Sequence, residues 1–238
     1  MTAALIGTNI SYLILTFLPT IAWLLFYLRE DGHPEPKRLL LLAFIGGIVS
    51  AILAVIVELL LIGQEGIFAG SFNLAKNAYM FFLVIGLVEE YIKYLPVKFL
   101  ILRRPDFDEP IDAMIYMMTV AMGFAALENA LFIFPLFHQD IFTGLEVVIN
   151  RFLGANLLHV LSSGIVGFFL ARAFFSPRRH HFIALGVLLA ATLHAAFNYL
   201  ILIKGVIPQG TFYLILLLST MAVVVFMDFE RLKKKSVI

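Results

Sequence analysis

Glu89, Glu90 and Lys93 stand within about one helical turn of each other in the otherwise apolar run Val88-Glu89-Glu90-Tyr91-Ile92-Lys93. On a helix, Lys93 follows Glu90 by three residues and Glu89 by four, so one ammonium reaches both carboxylates along one face. Adjacent carboxylates repel each other in a low-dielectric site, which suits a group that must take and return a proton. Three further apolar runs carry chemistry of the same kind. Phe124-Ala125-Ala126-Leu127-Glu128-Asn129 holds a carboxylate, Arg151 precedes Asn156-Leu157-Leu158-His159 with Ser162 and Ser163, and His194-Ala195-Ala196-Phe197-Asn198 sets an imidazole four residues before an amide. Carboxylates with imidazoles can activate a water, with a His/Asn pair stabilising an oxyanion. They can also hold a zinc ion as a His2Glu site with an open water position, or relay protons along an ion pathway. Each group has a plainer use as well. The Glu–Lys set and a Glu128–Arg151 pair can lock helix packing, His159 can be a buried histidine bonded to serine, and His194 with Asn198 can join two helices.

The elements that position these residues follow from composition. Of 238 residues, 62% are hydrophobic and only 14% charged, and mean hydropathy is +0.99. A soluble or disordered chain is excluded, because a globule this size cannot hide that much apolar surface. A net charge of +1 gives no reason to expect nucleic-acid binding. The lack of cysteine excludes disulfides, thiolate metal sites and a cysteine nucleophile. The reading is an all-α membrane protein, one polytopic bundle of about seven transmembrane helices spanning residues 1–238. The spans are Asn9–Leu28, Leu39–Ile62, Tyr79–Leu102, Ile111–Phe134, Val147–Phe174, Phe182–Ile203 and Thr211–Met227. Arg29, Lys37, Arg38, Arg103, Arg104, Arg172, Arg178, Arg179, Arg231, Lys233, Lys234 and Lys235 fall on one side. Lys76, Arg151 and Lys204 fall on the other. The positive-inside rule then predicts an N-terminus outside and a cytoplasmic C-terminus. Glu89 sits about 15 Å and His159 about 18 Å below the outer surface, and His194 about 12 residues from its inner end, so carboxylates and imidazoles on separate helices share a depth. Glu128 lies in the outer half, level with Arg151. Glu58, near the outer end of span two, is expected to reach the interface. Asp112 reads as a helix-start residue, the methionines at 114, 117, 118 and 122 as packing, and His33, His138, His180 and His181 as loop residues without a role.

The set resembles the PrsW family of bacterial membrane-embedded proteases. The matching pieces are Glu89-Glu90-x-x-Lys93, Pro110-Ile111-Asp112 leading to Gly123-Phe124-Ala125-x-x-Glu128-Asn129, Arg151 with His159, and His194-x-x-x-Asn198, spread over about residues 80–200. That family is similar to the wider CPBP group with its Rce1-type CAAX prenyl proteases. This chain differs from the group in the spacing of Lys93 and in having Glu128 where the group has histidine. The resemblance implies a multi-pass protein of the bacterial cytoplasmic membrane with a catalytic core at about 79–203. It implies hydrolysis of a peptide bond in a single-pass membrane protein, such as an anti-sigma factor, near its outer membrane-proximal segment. Glu89, sharing a proton with Glu90, would be the base on a water that His159 helps position. His194 and Asn198 would stabilise the oxyanion, with Lys93, Glu128, Asn129 and Arg151 in support. A metal-free site is the preferred expectation. Zinc on His159, His194 and Glu89 is the second, although no HExxH is present. A proton-coupled transporter or channel using the same cluster is the alternative function, and a non-catalytic scaffold or a prenyl-protein processor a third.

Overall fold

A computed structural model describes residues 3–63, 74–137, 140–174, 176 and 178–234. His138, Pro177, Lys235 and the side chain of Lys76 lie outside what it describes. The described chain is helical throughout: α1 (Ala3–Leu28), α2 (Lys37–Ile62), α3 (Leu74–Pro96) running into a π-helical turn Val97–Ile101, α4 (Asp112–Phe137), α5 (Ile141–Leu153), α6 (Ala155–Phe174), α7 (Arg179–Ile203) and α8 (Gly210–Lys233). Six stretches are long and apolar enough to cross a membrane, α5 with α6 counting as one. The seventh, α3, carries Glu89, Glu90 and Lys93 and is correspondingly less apolar. The protein is therefore an all-α membrane bundle of about seven spans.

Two boundaries differ from the sequence reading, and both have local causes. The third span does not run as one α-helix to Leu102. Pro96 lacks the N–H that would continue the ladder, and the chain widens into the π turn that follows it. The fifth span is two helices. Asp140 caps α5 by accepting the backbone N–H of Thr143 at 2.8 Å, so this helix starts well before Val147. It ends at Gly154 (φ −110°, ψ −91°), where a Cβ would stand 2.8 Å from the Asn150 carbonyl oxygen. The break separates Arg151 from His159 and lets each approach the same partner on α4.

α4 is the central helix, buried throughout its N-terminal half and packed on α1, α2, α3, α5 and α6. The methionines at 114, 117, 118 and 122 are all buried in this core, as packing side chains should be. Against α2 the backbones themselves touch. A Cβ on Gly47 would stand 2.0 Å from the Val120 carbonyl oxygen, and one on Gly123 1.9 Å from that of Phe44. Small residues allow such contact where no hydrophobic effect drives helices together in lipid. Gly123→Ala is therefore expected to force α2 from α4 and lower stability by about 1–3 kcal/mol. Thermal unfolding in detergent reads this, and an unchanged midpoint would contradict the close approach.

At the N-terminal end of α4 the α1–α2 loop is tied to it. Glu35 is buried, hydrogen-bonds Asp112 and accepts the Tyr116 hydroxyl. Asp112 in turn accepts the backbone N–H groups of Asp108 and Glu109 at 3.0 and 2.9 Å, so it organises the loop before α4 as well as opening the helix. Burial pushes the Glu35 carboxyl up to about 8 from its ordinary 4.5, with Asp112 adding to the rise and the Tyr116 hydroxyl opposing it. The folded state thus holds a proton that the unfolded chain releases from about pH 4.5 upward. This contribution to stability is complete below pH 4.5 and is lost as pH rises toward 8. The unfolding midpoint should fall across that window in wild type. The fall should be shallower in Glu35→Gln, and identical pH slopes would refute the latch.

Candidate active site

Three helices converge on one ammonium. The α-helical register of α3 brings Lys93 Nζ to 3.1 Å from Glu89 Oε2 and 2.9 Å from Glu90 Oε1. α6 adds His159, whose Nδ1 lies 2.8 Å from the same Nζ, and α4 adds Phe124, whose ring centre is 4.1 Å from it. Lys93 is completely buried. Because an ammonium only donates, His159 Nδ1 is the acceptor. Its Nε2–H then donates to Glu128 Oε2 at 2.8 Å, which also accepts Arg151 Nη2 at 2.7 Å. Arg151 Nε reaches the side-chain oxygen of Asn129, whose amide donates to the Thr16 carbonyl at 3.4 Å. The expected Glu128–Arg151 pair thus forms, and it belongs to the same network as the histidines.

The two adjacent carboxylates are held in different ways. Glu90 has no exposed surface, and both its oxygens are engaged. Oε1 accepts Lys93, Ser162 Oγ at 3.0 Å and His194 Nδ1 at 3.1 Å; Oε2 accepts Ser163 Oγ at 3.1 Å. Glu89 is bound through Oε2 to Lys93, and His194 Nε2 stands 3.8 Å from that oxygen, beyond direct hydrogen-bond reach. The His159 and His194 rings meet edge to face at 5.3 Å.

Two contacts differ from the sequence reading. Ser162 and Ser163 do not orient the His159 ring; they donate to Glu90, and the ring is set by Lys93 and Glu128. His159 has both nitrogens committed, so it holds its neighbours and has no free atom to position a water. Asn198, half-buried one turn beyond His194, makes no hydrogen bond to the described residues. Two residues outside the expected set stand at the edges. Asn156 is fully buried with neither amide atom paired among the described residues. Glu58 does not simply extend to the interface: one oxygen is buried without a hydrogen-bond partner among the described residues, and it interacts electrostatically with Glu89, Glu128 and Lys93. Its position was readable in principle, because Gly47, Ala51, Ala54 and Glu58 share one face of α2 and the first three pack inward. His180 and His181 open α7 rather than lying in a loop.

Ligand atoms of Glu89, Glu90, His159 and His194 lie within 4.8 Å of one another, and two imidazoles with carboxylates suit zinc by type. The arrangement does not fit an ion as it stands. Lys93 already occupies the hydrogen-bonding positions of His159 Nδ1, Glu89 Oε2 and Glu90 Oε1. A bound cation would have to drive that buried ammonium out.

A multi-pass bundle with carboxylates, imidazoles and a buried ammonium packed together between its helices defines a polytopic membrane protein with a buried polar cluster. Comparison with known proteins gives the family. The profile described as "PrsW family intramembrane metalloprotease" matches residues 35–227, and the chain belongs to that family. It is 32% identical over 180 residues to the Protease PrsW of Geobacillus kaustophilus (strain HTA426), covering 75% of this chain and 74% of that one. It is 30% identical over 178 residues to the Protease PrsW of Bacillus subtilis (strain 168), covering 74% and 75%. With the Protease PrsW of Clostridioides difficile (strain 630) it shares 28% over 196 residues, 80% and 79% of the two chains. No solved structure matches the chain. Membership makes this a membrane-embedded peptidase and a multi-pass protein of the bacterial membrane.

Proposed function

We propose that the chain is an intramembrane endopeptidase that cuts a single-pass membrane protein of the anti-sigma-factor type, using a water deprotonated by Glu89. The N-terminus lies outside, the C-terminus is cytoplasmic, and the catalytic core is about residues 79–203 of a single domain. The observation that carries this reading is the unequal treatment of the glutamate pair. Glu90 is fully buried and accepts four donors, whereas Glu89 accepts only Lys93, through Oε2, and keeps Oε1 free of protein partners among the described residues.

In this mechanism Glu89 takes one proton from the water and the hydroxide adds to the scissile carbonyl carbon. Negative charge builds on the carbonyl oxygen, where the unengaged amide of Asn198 donates and a doubly protonated His194, its Nδ1–H already held by Glu90, donates through Nε2–H, with the Lys93 charge close by. Glu89 then returns the proton to the nitrogen as the C–N bond breaks, releasing one acid and one amine per water consumed. Glu90 anchors Lys93 and His194. His159, Glu128, Asn129 and Arg151 brace the ammonium from α4, α5 and α6. The metal-free form is favoured because Lys93 supplies the positive charge at the position an ion would take. The grouping of Glu89, Glu90, His159 and His194 keeps a zinc form as the second reading, in which His159, His194 and Glu89 would hold an ion that activates water.

The test is cleavage of a tagged single-pass substrate by the reconstituted protein with and without a strong zinc chelator. Cleavage insensitive to chelator is expected. Chelator-sensitive cleavage would overturn the metal-free form. A proton flux across the same liposomes, with no cleavage, would favour the transporter reading instead.

A further inference from the structure

Away from the catalytic cluster, a cavity of about 880 Å³ opens between the end of α3, its π turn, the end of α6 and the start of α7. Its chemistry is divided. The rim carries Lys98, Arg103, Arg179 and His180, all exposed, while Leu87, Leu170, Val187 and Leu188 form an apolar wall deeper along α3, α6 and α7. No carboxylate lines it, and among the described residues none of the four basic side chains has an ion-pair partner. Lys98 Nζ stands 5.1 and 5.9 Å from the ring centres of Phe99 and Tyr94, and Tyr94 also lines the cavity. The rim sits at helix ends, the level of lipid headgroups. The apolar wall runs from Arg179 to Leu188, about 13 Å along α7.

Unpaired basic residues at the headgroup level above an apolar slot fit one class of ligand, a molecule with a phosphate at one end and a hydrocarbon chain at the other. We propose that this cavity is a specific site for an anionic phospholipid, whose phosphate is held by Lys98, Arg103 and Arg179 with His180 beside them and whose acyl chain lies against Leu170, Val187 and Leu188. Basic pockets between transmembrane helices take such headgroups through charge, and lining the slot with apolar side chains selects a lipid over free phosphate. The lipid would wedge between α3 and α7, the helices that carry Glu89, Glu90 and His194, and would fix their spacing below the cluster.

The experiment is lipid retention by the full-length protein purified from vesicles of mixed phosphatidylglycerol and phosphatidylcholine, read by native mass spectrometry. Wild type is expected to keep phosphatidylglycerol in preference to phosphatidylcholine, and millimolar inorganic phosphate should not displace it. Replacing Lys98, Arg103 and Arg179 with Gln should cut retention at least tenfold. Replacing Arg231, Lys233 and Lys234 with Gln on α8, which leaves the cavity untouched, should change nothing. Leu188→Trp, which fills the slot and alters no charge, should also release the lipid; with Arg103→Gln alone it carries the test if the triple variant fails to fold. Equal retention of the two lipids, displacement by phosphate, or equal loss in both triple variants would overturn the proposal. None of these outcomes depends on peptidase activity, so its failure and that of the proposed function are separable.

Discussion

Glu89→Gln is expected to lower the cleavage rate by about 10²–10⁴, the usual contribution of a positioned general base, while leaving a folded protein. The amide cannot take the water's proton, yet it keeps the shape of the side chain. Lys93 loses one of three polar contacts and retains Glu90 and His159. Unfolding should therefore shift by no more than about 1.5–3 kcal/mol, the worth of a hydrogen bond to a charged group. Glu90→Gln is expected to behave in the opposite sense. It removes the charge that Lys93, His194, Ser162 and Ser163 surround inside the bundle, so its larger effect falls on stability. The contrast matters more than either value. Full cleavage by Glu89→Gln would remove Glu89 as the base, and equal loss of stability in both variants would remove the division of labour between the two carboxylates.

That division was not legible in the sequence, and the reason is physical. Periodicity and spacing report contacts within a helix. They give the Lys93 bridge to Glu89 and Glu90, and depth matching along antiparallel helices gives the Glu128–Arg151 pair. Which partner fills each remaining lone pair depends on how helices rotate against one another. Ser162 and Ser163 stand three and four residues after His159 and could serve it, but rotation of α6 turns them to Glu90 on α3. Glu58 shows the same limit, since a carboxylate near a helix end reads as an interface residue until α2 is seen packed on α3 and α4. The apolar lengths give the bundle and nearly all its spans. They miss the break at Gly154 because residues on both sides are equally apolar, and only Asp140 with Thr143 marks the earlier start. Asn156 has no hydrogen-bond partner among the described residues, and nothing in the described structure explains its burial.

Lys93→Met is expected to cost about 3–5 kcal/mol, because it leaves Glu90 as a buried charge without its counter-ion. Its stem is apolar and of similar length, so the loss measures the missing charge and hardly the packing. Adding Glu90→Gln should recover much of the loss, since the fully buried carboxylate is then neutral and only Glu89 keeps a charge without the ammonium. The non-additivity in a double-mutant cycle is the quantity to measure, by unfolding in detergent. Additive effects would mean that the ammonium and Glu90 do not depend on each other. The same variant tests why an ion does not fit the present arrangement. With Lys93 removed, His159 Nδ1, Glu89 and Glu90 lose their shared donor and become free to ligate. Zinc should then stabilise Lys93→Met, by about 2.7 kcal/mol at a hundred times its dissociation constant, and should leave wild type unchanged. Equal stabilisation of both proteins would show that an ion and the ammonium share the site, and the metal-free mechanism would have to be abandoned.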